Sequence, residues 1–120
     1  MLPEKKEFRF QDKTFTFSVC STALELMKGL AGVTSIEDEE IDGMLFDFGV
    51  DHAAIMTPRG LNFPVEVAFI DRMGFVKEIK TLNPRLGYNI FASKPVRYVL
   101  EAPVGFFQTN NIDVDSRIDI

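Results

Sequence analysis

The sequence predicts a mainly β fold: a small single-domain barrel or sandwich of about seven or more short strands with one or two short peripheral helices. Three observations point that way. Apolar and polar residues alternate at period two along several short stretches, turn-forming residues recur between them, and one stretch alone carries helical spacing. The 120 residues match the usual size of one domain, read as residues 1–120. Such a chain buries roughly two-thirds of its unfolded surface without needing a disulfide or a metal.

Glu7 to Val19 reads as two strands. Phe8 and Phe10 alternate with Glu7 and Arg9, while Phe15, Phe17 and Val19 alternate with Thr14, Thr16 and Ser18. Gln11-Asp12-Lys13 is the turn between them. Ser21 to Ala31 reads as the helix. Thr22 and Glu25 have capping-box spacing, in which each side chain satisfies a free backbone N–H at the helix start. Leu24, Met27, Leu30 and Ala31 fall on one helical face, expected to be core, and Gly29 and Gly32 mark the end.

Glu37-Asp38-Glu39-Glu40 with Asp42 is an acidic run that reads as a solvated loop, since the alternating oxygen ligands and glycine turn of a calcium loop are absent. Met44–Phe48 and Ala53–Met56 read as strands flanking a turn at Gly49-Val50-Asp51-His52, followed by a turn cluster at Thr57-Pro58-Arg59-Gly60. Val65–Asp71 and Phe75–Leu82 form a hairpin around Arg72-Met73-Gly74. Asn83 to Pro95 is a long loop, Val96–Ala102 a strand, and Pro103–Thr109 a short helix with proline in its first turn. Asp115-Ser116 turns the chain into a last strand, Arg117–Ile120.

Composition narrows the function classes. Twelve Phe against two Tyr and no Trp supply large apolar area with no polar atom to satisfy, which suits a dry core. A net charge of −5 lacks the basic footprint that a nucleic-acid backbone requires. Cys20, the single cysteine, excludes an intrachain disulfide and reads as a small buried hydrophobe. His52, the single histidine, has no nitrogen or sulfur companions for a zinc site, so neither a metal nor another cofactor is expected. The residues after Met1, Leu2-Pro3-Glu4-Lys5-Lys6-Glu7, lack a signal peptide's apolar run, and no stretch reaches the ~20 apolar residues of a membrane span. The expected location is the cytoplasm or an assembled particle.

Several phrases recur in a known order: Lys28-Gly29-Leu30, then Gly43-Met44-Leu45-Phe46, then a Met and a Pro ahead of Phe69-Ile70-Asp71, then Arg97-Tyr98-Val99-Leu100-Glu101 and Gly105. Over about residues 15–120 the chain resembles the bacterial and archaeal family called domain of unknown function 192. The resemblance implies a small, mostly β, barrel-like or sandwich fold with a peripheral helix, no established activity, and relatives many of which are exported or membrane-tethered. Where the family has Trp-Met-Lys-Asn-Thr closely followed by Pro-Leu-Asp, this chain reads Ile55-Met56-Thr57-Pro58-Arg59. Gly60-Leu61-Asn62-Phe63 then precedes Pro64-Val65-Glu66, so Glu66 stands in place of the aspartate.

Two candidate sites follow. The first is polar: Glu66, on a strand apolar on both faces, needs a cation, and Arg59 or Arg97 can supply the guanidinium fork, with Glu101 nearby in the chain's pattern. It would bind a small polar or sugar-like molecule. The second is a partner surface formed by Leu61, Phe63, Tyr88, Ile90 and Phe91 in two loops bounded by Pro and Gly. No Ser sits in a nucleophile motif and no acid–base pair is evident, so no residue is assigned a catalytic role and enzyme activity is the least supported reading. The leading expectation is a non-catalytic interaction subunit, in a homo-oligomer or with a protein partner; small-molecule binding is the alternative.

Overall fold

The computed structural model describes residues 2–120. Its strands are β1 (Lys5–Phe10), β2 (Lys13–Cys20), β3 (Gly43–His52), β4 (Ile55–Met56), β5 (Val65–Ile70), β6 (Val76–Leu82), β7 (Ile90–Phe91) and β8 (Val96–Pro103). Two helices accompany them, α1 (Ala23–Lys28) and α2 (Phe106–Thr109), with a 3-10 turn at Glu37–Glu39. A six-stranded sheet runs in the order β1-β2-β3-β8-β5-β6, and β4 pairs with β7 apart from it. The sheet ends on β1 and β6 and does not close, so the mainly β expectation stands while the architecture is an open sheet and not a closed barrel.

The period-two runs form the hairpins they predict. β1 pairs with β2 across the turn at Gln11, where Phe8 faces Phe15, and β5 pairs with β6 from Val65–Leu82 to Ile70–Val76. Asp71 shapes the second turn: its Oδ1 accepts the N–H groups of Met73 (2.9 Å) and Phe75 (3.0 Å). β2 and β3 are parallel, which a tight turn cannot achieve, and α1 with the acidic segment makes the crossover. Asp42, in that segment, is tied to the sheet where its Oδ2 accepts the Thr16 N–H at 2.8 Å.

Apolar residues cover both sheet faces. One layer packs Leu30, Ile36, Ile41, Met56 and Ile90 onto Phe46, Val67 and Val99; the other packs Phe107, Ile112 and Ile118 onto Phe17, Ile70 and Leu100. The central strands β5 and β8 are therefore buried on both sides and read as near-continuous apolar runs. The phenylalanines concentrate on the second face, where the ring of Phe17 stacks on Phe8 at 5.3 Å and on Phe15 at 6.0 Å.

Five local expectations are corrected. Pro103 ends β8 and does not start the last helix, since α2 begins at Phe106 after Gly105. The capping box forms, with Thr22 Oγ1 accepting from Glu25 N–H and Glu25 Oε1 accepting from Thr22 N–H, but α1 stops at Lys28. Leu30 lies beyond its end, so no continuous helical stripe exists: Leu30 and Leu26 pack inward while Leu24 and Met27 are 78% and 80% exposed. Gly49–His52 is not a turn but the outer end of β3, whose pairing with β8 is irregular between Asp47 and His52. The long loop holds β7, because Ile90 and Phe91 find the backbone of Ile55 and Met56. Arg117–Ile120 is not a full strand; it touches the sheet through isolated bridges Arg9–Asp119 and Phe75–Arg117 while Ile118 is buried.

Candidate functional site

Two polar side chains are buried among the described residues, Ser18 and Glu101. Ser18 is satisfied, its Oγ donating to the Pro3 carbonyl at 2.8 Å. Glu101 is 3% exposed, and burial pushes its carboxyl up to about 8. No hydrogen bond or cation from the described residues reaches that carboxyl; the ion pairs they form are Lys6–Glu4, Lys80–Glu78 and Arg97–Asp47. With no protein partner, the carboxyl depends for its bonding on whatever occupies the space beside it, since no fully enclosed side-chain polar atom among the described residues is left unpaired.

Glu101 instead meets a cavity of about 90 Å3 between α1, β4 and the sheet. Leu26, Leu30, Phe46 and Met56 supply apolar walls, Met27 and Ile55 stand at its exposed side, and Lys28, Thr57 and Arg59 add polar groups. Local backbone chemistry builds this space. Gly29 ends α1 at φ +49°, and a Cβ there would come to 2.9 Å of the Phe46 ring, so glycine lets the helix end settle on that ring. At Gly43 a Cβ would meet the Glu101 carbonyl at 2.6 Å; glycine there admits β8 close beside β3 and fixes where Glu101 emerges. A wider groove of about 540 Å3 along Gly32–Ser35 and Asp38 contains no buried polar group.

The four polar residues singled out by sequence divide. Arg59 and Glu101 line the same cavity, without an ion pair between them. Glu66 lies on the opposite sheet face with Ala68 and Ile70, and its Oε1 accepts the N–H of Gly105 at 2.6 Å, at the start of α2. Arg97 donates through Nε to Asp47 Oδ1 at 3.1 Å, which raises its affinity for the proton, and its guanidinium lies 5.0 Å from the Tyr98 ring. Neither arginine pairs with Glu66. The apolar candidates divide too: Tyr88 and Phe91 are exposed, Leu61 and Phe63 are half-buried against the core, and Ile90 is a core residue. Leu61 also lines the cavity.

Sequence reasoning did not single out Leu26, Lys28, Gly29, Phe46 or Met56 as lining residues. A signal was present, since Lys28-Gly29-Leu30, Phe46 and Glu101 belong to three of the phrases that carry the family resemblance and the fold brings them together. Cys20 sits close by and is buried; desolvation, and then the charges of Glu25 and Glu101, push its thiol up to about 12, the condition of an unreactive side chain. His52 is exposed and stacks on Phe48 at 4.5 Å. No group of three His, Cys, Asp or Glu capable of holding a metal occurs among the described residues, and no described helix is long and apolar enough to cross a membrane.

The family model DUF192, described as Uncharacterized ACR, matches residues 6–120. Among solved structures, a candidate transcription regulator from Sinorhizobium meliloti 1021 superposes with a TM-score of 0.87 at 23% identity, over 99% of this chain and 95% of that one. A protein of unknown function from Novosphingobium aromaticivorans DSM 12444 superposes with a TM-score of 0.80 at 22% identity, over 97% of this chain and 84% of that one. At such identities the likeness establishes a common fold. No curated protein matches the chain.

Proposed function

The chain belongs to the DUF192 family, and from that premise we propose that it is a non-catalytic small-ligand-binding protein whose site is the cavity beneath α1. The supporting observation is Glu101, a buried carboxyl left without a protein partner and facing that cavity. No fully enclosed side-chain polar atom among the described residues lacks a partner, so the Glu101 carboxyl keeps a sliver of contact with the cavity, where water or a ligand completes its bonding. Acid–base catalysis would want a second perturbed group within reach, and the nearest candidate, Cys20, is an unreactive thiol. The regulatory role named for the Sinorhizobium protein is not carried over, because at 23% identity the likeness shows the fold alone and a net charge of −5 does not favour a DNA partner.

The test is a screen of small cationic, neutral and anionic fragments against the isotope-labelled protein by amide chemical shift. Shifts clustered at Gly29, Leu30, Phe46, Met56 and Glu101 are expected. A broad library that moves none of these residues removes the reading.

A second role, the interaction subunit expected from sequence, draws on different residues. Leu24 and Met27 on α1 and Ile55 and Phe91 on the β4–β7 ribbon are all more than half exposed, which is apolar area of the kind that partners cover. Light scattering coupled to size exclusion at micromolar concentration is expected to report an oligomer. A strict monomer with no co-purifying protein counts against this role and leaves the cavity untouched.

A further inference from the structure

We propose that the cavity takes a primary ammonium group on a short aliphatic stem, with Glu101 as the counter-ion of that head group. This deepens the ligand-binding reading and rests on it.

Size comes first. Pockets for whole drug-sized molecules measure about 300–1,000 Å3, whereas this cavity holds about 90 Å3. That admits a head group with its first carbons and excludes a nucleotide or a sugar ring. Its walls, Leu26, Leu30, Phe46 and Met56, offer a stem apolar contact, and exposed Met27 and Ile55 extend that contact outward.

Charge decides the head group. The titratable groups around Glu101 are Cys20 on β2, Glu25 and Lys28 on α1, and Arg59 after β4. Cys20 stays a neutral thiol and Glu25 adds negative potential beside it. Lys28 and Arg59 are both exposed, and neither reaches Glu101: burial alone governs its titration. Exposed cations are solvated and screened, while a desolvated carboxylate acts through a much lower local dielectric. Once ionised, Glu101 therefore outweighs the two cations outside the cavity. Below about pH 8 Glu101 keeps its proton and can bond a neutral or anionic acceptor. Once it ionises, a ligand carboxylate is repelled, a hydroxyl leaves the charge uncompensated, and only a cation pairs it. An ammonium donates the hydrogen bonds and supplies the missing positive charge in one group.

Titration of the full-length isotope-labelled protein with n-butylammonium, 1-butanol and butyrate separates the outcomes. At pH 8 the ammonium is expected to shift the cavity amides and to bind at least about tenfold more tightly than the alcohol. Because it must displace the Glu101 proton, its affinity is expected to be about fifty-fold weaker at pH 6 than at pH 8. Glu101→Gln is expected to remove both the preference and the pH dependence. Equal or tighter binding of butanol or butyrate at the cavity overturns the ammonium assignment while the cavity reading survives. Ammonium shifts confined to the acidic 37–40 segment, or unchanged in Glu101→Gln, overturn it as well. Silence from all three probes also overturns it, and the broader fragment library then decides the cavity by itself.

Discussion

Glu101→Gln raises the stability of the protein at pH 8 by about 2–4 kcal/mol and leaves it nearly unchanged at pH 5. The sign follows from proton linkage. Glu101 titrates near 8 in the fold and near 4.5, the ordinary glutamate value, in the unfolded chain. Below about 4.5 both states hold the proton and stability does not depend on this group. Between 4.5 and about 8 the folded state keeps a proton that the unfolded chain has released, so stability falls as pH rises, by about 1.4 kcal/mol per unit. Above about 8 the loss is complete, at roughly 3–5 kcal/mol. Glutamine is uncharged at every pH and escapes the loss, less about 1 kcal/mol for an amide whose donors are incompletely met. Urea unfolding at pH 5 and pH 8 reads the difference. A gain at pH 8 no larger than that at pH 5 would mean that Glu101 does not titrate high in the fold.

Phe17→Ala destabilises the protein by about 3–5 kcal/mol at every pH. Phe17 is fully buried, and its ring packs against Phe8, Phe15 and Phe106, the last edge-on at 6.4 Å. Truncation removes the buried ring area, leaves a void that neighbouring rings cannot fill, and breaks aromatic pairs worth about 0.5–1.5 kcal/mol each beyond that area. A domain of this kind is stable by only about 5–15 kcal/mol, so the substitution takes a large share. Phe17 lies on the sheet face opposite the cavity. The double variant with Glu101→Gln should therefore sum to within about 0.5 kcal/mol of the single effects. A loss under about 1 kcal/mol for Phe17→Ala in chemical unfolding would contradict the packing described.

The hairpins were legible because alternation such as Phe15, Phe17 and Val19 against Thr14, Thr16 and Ser18 admits one pairing register with the aromatic face inward. The capping box was legible because its geometry is local. What failed was inference across an element's end. Leu24, Met27, Leu30 and Ala31 have helical spacing, but Gly29 terminates α1 before the pattern can act as a face: Leu30 is buried from beyond the helix, and Leu26, outside the pattern, packs partly against the core. Barrel closure could not be read either, since it depends on whether β1 and β6 meet, and strand pattern is silent on that. The site was half legible. Glu66 and Glu101 both interrupt apolar strands, yet the sequence cannot show that Gly105 satisfies one carboxyl while nothing satisfies the other. Arg97 finds Asp47 because β3 runs beside β8, a pairing of distant segments.

The two apolar layers on either side of the sheet have a consequence for how sequence change is tolerated. The aromatic layer around Phe17 and Phe107 is a reservoir of folding free energy that contributes nothing to the lining of the cavity. If the cavity binds as proposed, drift among Leu26, Met27, Ile55 and Leu61 would reshape ligand preference while the opposite layer keeps the chain folded. A scaffold divided in this way would let a binding site diversify faster than the fold is lost, and directed evolution confined to those four positions is where such change should be sought.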